Sequence, residues 1–152
     1  MRKIYIASSW RCPHYRKVLE AVRSAGFDCY DFQNTKSAFN WSQIDPEWRD
    51  WNVREYINGL DHPLAMRGFE SDFRALQEAD ACVLVLPCGR SAHLELGWCT
   101  GVGKFTMILI LDGATEPELM YRAAHRICRT IGEVVLTLQD WESSTIIKAD
   151  KA

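Results

Sequence analysis

The residue best placed for chemistry in this sequence is Glu95, which follows a buried strand and a short Pro-Cys-Gly-Arg loop. Residues 81–86 are uninterruptedly apolar, Pro87 and Gly89 break the run, and residues 92–101 read as a helix. Ligands of open α/β sheets bind at the carboxyl ends of the strands. The dipole of a helix beginning there favours a charged carboxylate in its first turns by about 0.3–1 kcal/mol. Glu95 is therefore a candidate nucleophile, and the alternative is a glutamate that only complements the dipole.

Further polar residues follow the other predicted strands. Ser8 and Ser9 end the first strand and Asp31 ends the second, while Asp72 lies on the helix before the third. Because parallel strands open on one edge of a sheet, we expect these side chains to share a crevice with Glu95. A turn, a cap or a solvated helix face is the alternative for each. The loop adds three candidates for binding: Gly89 for close backbone approach, Arg90 as a cation and Ser91 as a helix N-cap.

Two other motifs are rejected. His93-Leu94-Glu95 resembles half of a zinc-deaminase motif, but the Pro-Cys-x-x-Cys element that should follow is absent. Gly101-Val102-Gly103-Lys104 lacks the remaining glycine and the Ser or Thr of a phosphate loop, and it reads as a helix C-cap. We expect no metal and no cofactor.

The segment from 33 to 62 is too long for a plain connection and is predicted to be a functional loop containing some helix. It holds the aromatic residues Phe39, Trp41, Trp48 and Trp51. Trp41 is a candidate for stacking on a planar ring of the substrate. A satellite core or a dimer contact is the alternative for this cluster.

The remaining pattern alternates apolar strands with amphipathic helices. This predicts a single-domain, doubly wound, five-stranded parallel sheet of the flavodoxin-like or Rossmann-like class. The predicted strands are 3–8, 27–32, 81–86, 105–111 and 127–128. The predicted helices are 13–24 with Pro13 at its first position, 63–79, 92–101, a short one from about 116, and 130–138, which starts with a capping box of Thr130 and Glu133.

Composition excludes several classes of protein. With 152 residues the chain is one domain, 1–152, and its net charge of -2 indicates no nucleic-acid partner. No apolar run is long enough for a membrane span, and the N-terminus enters a strand without a signal peptide. The six cysteines lack a Cys-x-x-Cys pair, and two lie in strand patterns. The sequence therefore predicts a reduced, cytoplasmic protein.

Four segments together resemble the nucleoside 2-deoxyribosyltransferase family and the related deoxynucleoside monophosphate N-glycosidases. They are IYIASS at 4–9, ESDFRALQEADACV at 70–83, ELG at 95–97 and PELM at 117–120. The resemblance extends from about residue 3 to residue 138. Its specificity lies in the order and spacing of the segments rather than in any one motif.

The resemblance implies cleavage of the N-glycosidic bond of a nucleoside or nucleotide, a small-molecule substrate. Glu95 would be the nucleophile that forms a glycosyl ester, as in retaining glycoside hydrolysis. Asp72 would protonate or hold the leaving base, and a second base or water would then take the sugar. The family also implies a homodimer or larger homo-oligomer, with active sites completed across subunits near Leu119 and Met120.

Two features bear on the substrate. Glu118 stands where transferases of the family carry Asn and the monophosphate hydrolases carry Ser, and its charge would repel a phosphate ester. This favours an uncharged nucleoside, whereas Arg90 in the loop favours a phosphate. Three alternatives stay open: a phosphoribohydrolase of the cytokinin-activating type, whose second loop glycine is missing here, an enzyme that cleaves NAD, and a non-catalytic nucleotide-binding domain.

Overall fold

The computed structural model describes residues 1–113 and 116–149. The chain forms two compact units, the first comprising Met1–Tyr30 together with the chain from Ala79 onward, the second Asp31–Glu78. The single domain expected over 1–152 stays a prediction, and positions 114–115 and 150–152 of that range lie outside the described residues.

The regular elements alternate along most of the chain. The strands are β1 (Lys3–Ala7), β2 (Asp28–Tyr30), β3 (Ala81–Val85), β4 (Phe105–Leu109) and β5 (Arg126–Cys128). The α-helices are α1 (Tyr15–Ser24), α2 (Val53–Leu60), α3 (Pro63–Glu78), α4 (Arg90–Gly101) and α5 (Ile131–Ala149). Short 3-10 helices cover Trp41–Gln43, Trp48–Asp50 and Leu119–Ala123.

The first unit is built on a five-stranded sheet with the order β2-β1-β3-β4-β5, in which every pairing is parallel. This is the flavodoxin-like order, so the predicted fold class is confirmed. The chain places β2 on one side of β1, and it then places β3, β4 and β5 in succession on the other side. Because parallel crossovers are right-handed, α1 and α4 cover opposite faces of the sheet.

The core of the first unit lies on the central strands. All five residues of β3 are buried, as are four residues each of β1 and β4. Helix α5 packs on α1, and α4 packs on the three central strands. Thr106 is a polar residue in this core, and its hydroxyl lies 3.0 Å from His125 Nδ1. Among the described residues, no helix combines the length and apolarity needed to cross a bilayer.

The second unit carries the tryptophan-rich segment and the α2–α3 pair. Trp41 lies edge-on to both Phe39 and Trp51, at centroid distances of 4.8 and 5.9 Å. The Trp51 indole donates to Asp45 Oδ2 at 2.7 Å. A Cβ on Gly59 would come within 2.4 Å of the Trp51 ring, so this glycine permits the helix to approach the ring closely.

Three predicted element boundaries require correction. Helix α1 begins at Tyr15 with His14 as N-cap, so Pro13 lies before the helix rather than at its first position. Helix α5 continues to Ala149 rather than ending near 138, since no Gly or Pro interrupts it after its first turn. The short helix expected from about 116 is the 3-10 helix that begins at Leu119.

The capping box at the start of α5 is half formed. Glu133 N–H donates to Thr130 Oγ1 at 3.0 Å, as the motif requires. The Glu133 carboxylate, however, accepts from the backbone N–H of Arg129 at 2.6 Å and from its guanidinium at 2.8 Å. The salt bridge with Arg129 therefore competes with the second bond of the motif, in which the Glu133 carboxylate would accept from the Thr130 backbone N–H.

Candidate active site

The carboxyl ends of β1 and β3 mark the switch point of the sheet, because the strand order reverses between them. Crevices at such points are the usual ligand sites of open α/β sheets. Ser8 follows β1, and its hydroxyl donates to the Val85 carbonyl at the end of β3 over 2.9 Å. Ser9 forms the next turn, in which its Oγ accepts from Arg11 N–H at 3.2 Å. The two serines thus make bonds to the backbone at and beyond the carboxyl end of β1, and their contact with substrate stays a prediction.

Glu95 is held by a tyrosine on β1. The Tyr5 hydroxyl donates to Glu95 Oε1 at 3.1 Å, while the Tyr5 side chain is almost wholly buried and its ring stacks on Tyr30 at 6.1 Å. A hydrogen bond to a carboxylate favours its charged form. The half-buried Glu95 is therefore an oriented carboxylate beside the switch point, as a nucleophile or a general base requires.

Two thiols near Glu95, those of Cys82 and Cys88, are held protonated, whereas the hydrogen bond with Cys82 lowers the pKa of the fully buried Cys99. Burial, with added repulsion from Cys12 and Glu95, raises the pKa of Cys88 to about 12. The pKa of Cys82 is also raised, first by its hydrogen bond with Cys99 and then by burial and nearby negative charge. Neither thiol supplies an appreciable thiolate near neutral pH, so the carboxylate is the stronger candidate for the nucleophile.

The start of α4 corrects the prediction for Ser91. Gly89 is the N-cap, with an extended backbone, and no side chain caps the helix. The chain leaves β3 through a short loop and enters the helix directly after Gly89, so Ser91 lies exposed within the first turn instead of at the cap. It stays a predicted binding residue without the capping role.

Glu95 is the sixth residue of α4, and the first turn contains no acidic residue. The helix dipole acts mainly within the first turn. The dipole argument made from the sequence is therefore wrong in its detail. The hydrogen bond from Tyr5 replaces it as the visible contact that favours the charged carboxylate.

His93 connects the loop to the 3-10 helix Leu119–Ala123. Its Nδ1–H donates to the Gly89 carbonyl at 2.8 Å, and its Nε2 lies 2.8 Å from the Tyr121 hydroxyl. In the neutral imidazole the Tyr121 hydroxyl is then the donor. The two rings also stack, with centroids 5.7 Å apart. Burial, followed by repulsion from Cys88 once its thiol ionises and from the Glu118 carboxylate, raises the pKa of Tyr121, so the phenol stays protonated near neutral pH.

Arg90 lines an open concavity of about 570 Å³ with Cys88, Gly89, His93 and Leu94. The size lies in the range of small-molecule sites. The Arg90 side chain is exposed, and no ion pair joins it to another described residue. The loop thus presents an exposed guanidinium, and binding of substrate by Arg90 and Gly89 stays a prediction.

Glu118 and Met120 lie at the start of the 3-10 helix. Glu118 is its N-cap, and the carboxylate accepts from Met120 N–H at 3.1 Å. The Met120 side chain is 70% exposed, and that of Leu119 is 81% exposed. The Glu118 carboxylate therefore caps the 3-10 helix, and its contact with substrate stays a prediction.

The other predicted site residues belong to the second unit. Asp72 is a half-buried residue of α3, and Asp31 is buried at the start of the unit, where its Oδ1 accepts from Gln33 N–H at 3.1 Å. Trp41 is half-buried within the aromatic cluster, which favours the packing alternative over an open stacking surface. Their roles toward substrate stay predictions. Among described residues, no three His, Cys, Asp or Glu side chains gather as a metal-binding group.

Sequence reasoning missed Tyr5 and the link between His93 and Tyr121. A usable signal for Tyr5 was present, since it is the one residue with a polar tip in the otherwise aliphatic stretch Ile4–Ala7. A buried tyrosine hydroxyl needs a partner, and the crevice residues were the available candidates. No comparable signal marks the pairing of His93 with Tyr121, which are 28 positions apart.

Comparisons with known proteins find likeness in structure. No protein-family description matches the sequence, and no curated protein matches it. A 2-deoxyribosyltransferase from the psychrotolerant bacterium Bacillus psychrosaccharolyticus is similar in structure, with 18% identity, a TM-score of 0.60, and coverage of 88% of this chain and 90% of that one.

Two further solved structures are similar. A conserved protein from Enterococcus faecalis V583 has 14% identity and a TM-score of 0.59, covering 92% of this chain and 98% of that one. The CMP N-glycosidase BcmB of Clostridium botulinum has 14% identity and a TM-score of 0.50, covering 91% and 99%. At these identities the likeness shows a shared fold, and the resemblance to the deoxyribosyltransferase family is confirmed at that level.

Proposed function

We propose that this chain cleaves the N-glycosidic bond of a nucleoside and transfers the sugar to another base or to water. The observation that carries the proposal is the Glu95 carboxylate, oriented by the Tyr5 hydroxyl at the switch point of the sheet. Two proteins of the same fold are named for related chemistry, one as a 2-deoxyribosyltransferase and one as a CMP N-glycosidase.

In the proposed first step, a Glu95 carboxylate oxygen attacks the anomeric carbon while the bond to the base breaks. The transition state resembles an oxocarbenium ion, and its positive charge is stabilised by the carboxylate. The electron pair of the broken bond leaves with the base, which takes a proton from Asp72 in the role that the resemblance gives that residue. The product of this step is a glutamyl-sugar ester.

In the second step a new base or a water molecule attacks the same carbon and releases the Glu95 carboxylate. A base gives a new nucleoside and a water molecule gives the free sugar, and in either case the proton that the acceptor loses passes to the Asp72 carboxylate, which restores its acid form for the next cycle. Tyr5 holds the carboxylate in position throughout. No cofactor is needed in either step.

An uncharged nucleoside is the favoured substrate. Glu118 places a negative charge on the exposed 3-10 helix, and such a charge disfavours a phosphate ester. A nucleoside monophosphate is the second candidate, because Arg90 presents an available guanidinium in the concavity. Assembly through the exposed Leu119 and Met120 side chains into a homodimer or larger oligomer, and a cytoplasmic location, also belong to this proposal.

The test is release of free base, followed by chromatography. Purified protein is incubated with purine and pyrimidine deoxynucleosides, ribonucleosides and their monophosphates, with and without a second base. We expect Glu95→Gln to lose at least about a thousandfold in rate, as removal of a nucleophile does. Glu20→Gln, which changes an exposed glutamate on α1, is the matched control and should keep the wild-type rate.

Acid quenching followed by peptide mass spectrometry provides a second readout. A sugar adduct on the peptide that contains Glu95, absent in Glu95→Gln, supports the ester intermediate. Equal base release by wild type and Glu95→Gln would refute the assignment. Tight nucleotide binding without any turnover would instead support the non-catalytic alternative.

A further inference from the structure

The 3-10 helix Leu119–Ala123 contacts the start of α4 through Tyr121. The other four residues of this short helix are exposed, whereas Tyr121 is half-buried. A 3-10 helix has poorer hydrogen-bond geometry than an α-helix, so it contributes little to its own placement. The Tyr121 hydroxyl lies 2.8 Å from His93 Nε2, and the two rings stack with an interplanar angle of 17°. The contact with His93 therefore ties the 3-10 helix to α4.

His93 also holds the loop between β3 and α4. Its Nδ1–H donates to the Gly89 carbonyl at 2.8 Å, and Cys88 Sγ lies 3.7 Å from the same nitrogen. Gly89 and Cys88 line the concavity of about 570 Å³, together with Arg90 and His93 itself. One imidazole thus uses both of its nitrogens to connect this loop with the 3-10 helix.

A cysteine nucleophile activated by His93 is the alternative for this cluster, and the geometry opposes it. Because a carbonyl only accepts, the His93 Nδ1 that faces the Gly89 carbonyl carries a proton and cannot take one from the Cys88 thiol. Burial raises the pKa of Cys88 to about 12. Nucleophilic cysteines need an environment that lowers their pKa. His93 is therefore suited to holding the loop rather than to activating a thiol.

The position of His93 on α4 separates it from the candidate nucleophile. His93 and Arg90 are three residues apart and lie on the same side of the helix, whereas His93 and Glu95 are two apart and do not face each other. The Glu95 carboxylate instead accepts from the Tyr5 hydroxyl. A change at His93 should therefore alter the concavity and leave the reacting carboxylate in place.

We propose that His93 is a positioning residue for substrate binding, which fixes the loop Cys88–Arg90 against the helix Leu119–Ala123 and so sets the shape of the concavity. The inference rests on the proposed function, because it gives His93 a part in binding the nucleoside that Glu95 attacks. Tyr121 is the second member of the bridge and acts through His93. Loss of the bridge weakens binding in the ground state and in the transition state alike, which raises KM and leaves kcat nearly unchanged.

The first test uses variants that remove one bond at a time. In His93→Gln the amide oxygen takes the place of Nε2 as acceptor for Tyr121, and the bond to Gly89 is lost. In His93→Asn the amide N–H takes the place of Nδ1–H, and the bond from Tyr121 is lost. Tyr121→Phe removes the hydroxyl and keeps the ring.

Each of the three variants should raise KM for base release about threefold to tenfold, as the loss of one neutral hydrogen bond does, with kcat within about twofold of wild type. A merely structural role would act differently, since partial unfolding removes active protein and so lowers the apparent kcat at unchanged KM. His62→Gln is the matched control. This half-buried histidine also makes a local bond, in which Nδ1 accepts from Leu64 N–H at 3.1 Å, and its loss should leave KM unchanged.

The second test is amide hydrogen exchange, which needs no turnover. Peptides that cover 86–91 and 118–124 should exchange at least about threefold faster in His93→Gln, His93→Asn and Tyr121→Phe, because local opening no longer has to break the bridge. Peptides from β1 should keep their wild-type rates. Circular dichroism verifies that each variant is folded.

The outcomes separate this inference from the proposed function. Base release by wild type with an unchanged KM in all three variants, or exchange that no variant alters, would overturn the role of His93 and leave the proposed function standing. If wild type releases no base from deoxynucleosides, ribonucleosides or their monophosphates, the proposed function fails, and calorimetry with the same compounds tests the inference. Equal dissociation constants for wild type and Tyr121→Phe, or no binding at all, would then overturn it.

Discussion

The Tyr5 hydroxyl and the Glu95 carboxylate, 90 positions apart in sequence, meet at 3.1 Å across the switch point of the sheet. The contact joins the middle of β1 to the second turn of α4. Its donor is fixed by a buried ring, so the carboxylate is oriented by the core of the fold itself. Preorganisation of this kind costs nothing at the moment of reaction.

Tyr5→Phe should therefore lower kcat by about 10- to 100-fold, the equivalent of about 1.5–3 kcal/mol for a hydrogen bond to a charged group. Steady-state kinetics with wild type and variant measure the effect. Tyr15→Phe, at an equally buried tyrosine on α1, is the control, and a similar loss there would contradict the prediction.

The contact between His93 and Tyr121 should hold the loop and the 3-10 helix together. We expect His93→Ala and Tyr121→Phe each to destabilise the protein, and the double variant to lose less than the sum of the two. A coupling of about 0.5–1.5 kcal/mol in urea unfolding would measure the bond. Strict additivity would show that the 2.8 Å contact contributes nothing to stability.

Glu118→Ser should shift substrate preference towards monophosphates. Serine is also a good N-cap, so the start of the 3-10 helix is kept while the charge is removed. The ratio of kcat/KM for a monophosphate to that for its nucleoside should rise about threefold to fivefold, as expected for an exposed charge. Glu116→Ser removes a neighbouring exposed charge and should leave the ratio unchanged. An equal shift in both variants would assign the effect to net charge.

Substitution by alanine at Gly59 and at Gly97 should change the free energy of unfolding in opposite directions. A Cβ at Gly59 meets the Trp51 ring at 2.4 Å, so Gly59→Ala should destabilise the protein by about 1–3 kcal/mol through overpacking. A Cβ at Gly97 on α4 meets nothing within 4 Å, and Gly97→Ala should stabilise it by about 0.5–1 kcal/mol. Urea unfolding gives both values. Equal effects would contradict the close packing of α2 on Trp51.

Asp45 should contribute stability that depends on pH. The Trp51 indole N–H, followed by the Glu47 backbone N–H, lowers the pKa of Asp45 below its ordinary 3.8. Because the folded-state pKa is the lower one, the contribution is present above the ordinary value and is lost as pH falls through the folded value. Asp45→Asn should therefore flatten the fall in unfolding free energy below about pH 4. Asp50→Asn controls for the loss of one negative charge, and an unchanged slope in Asp45→Asn would contradict the prediction.

The sheet could be predicted because its signals are local. The apolar run of β3 and the break at Pro87 are visible within a few residues, and the alternation of strands with helices leads to the parallel order. The position of Glu95 on a helix after β3 followed from the same pattern. The turn of α4 on which Glu95 lies could not be predicted in the same way, because α4 starts at the backbone of Gly89 and has no capping side chain.

The contacts that orient the site could not be predicted in this way. The bond between Tyr5 and Glu95 depends on the register of β1 against β3 and on the rotation of α4, which are tertiary properties. The packing of Trp41 depends likewise on Phe39 and Trp51 within one folded unit. The sequence left open whether these rings form a stacking surface, a satellite core or a dimer contact, and the structure shows them packed edge to face.

The high pKa of Cys88 affects how covalent probes of this protein will behave. A loop thiol that stays protonated near neutral pH reacts slowly with electrophiles. An electrophilic sugar analogue introduced at the crevice would meet few competing thiolates from that loop. An adduct on the peptide spanning the loop and α4 is an ester of the carboxylate if alkaline hydroxylamine cleaves it, because a thioether at Cys88, or at the buried Cys99 of α4, survives that treatment.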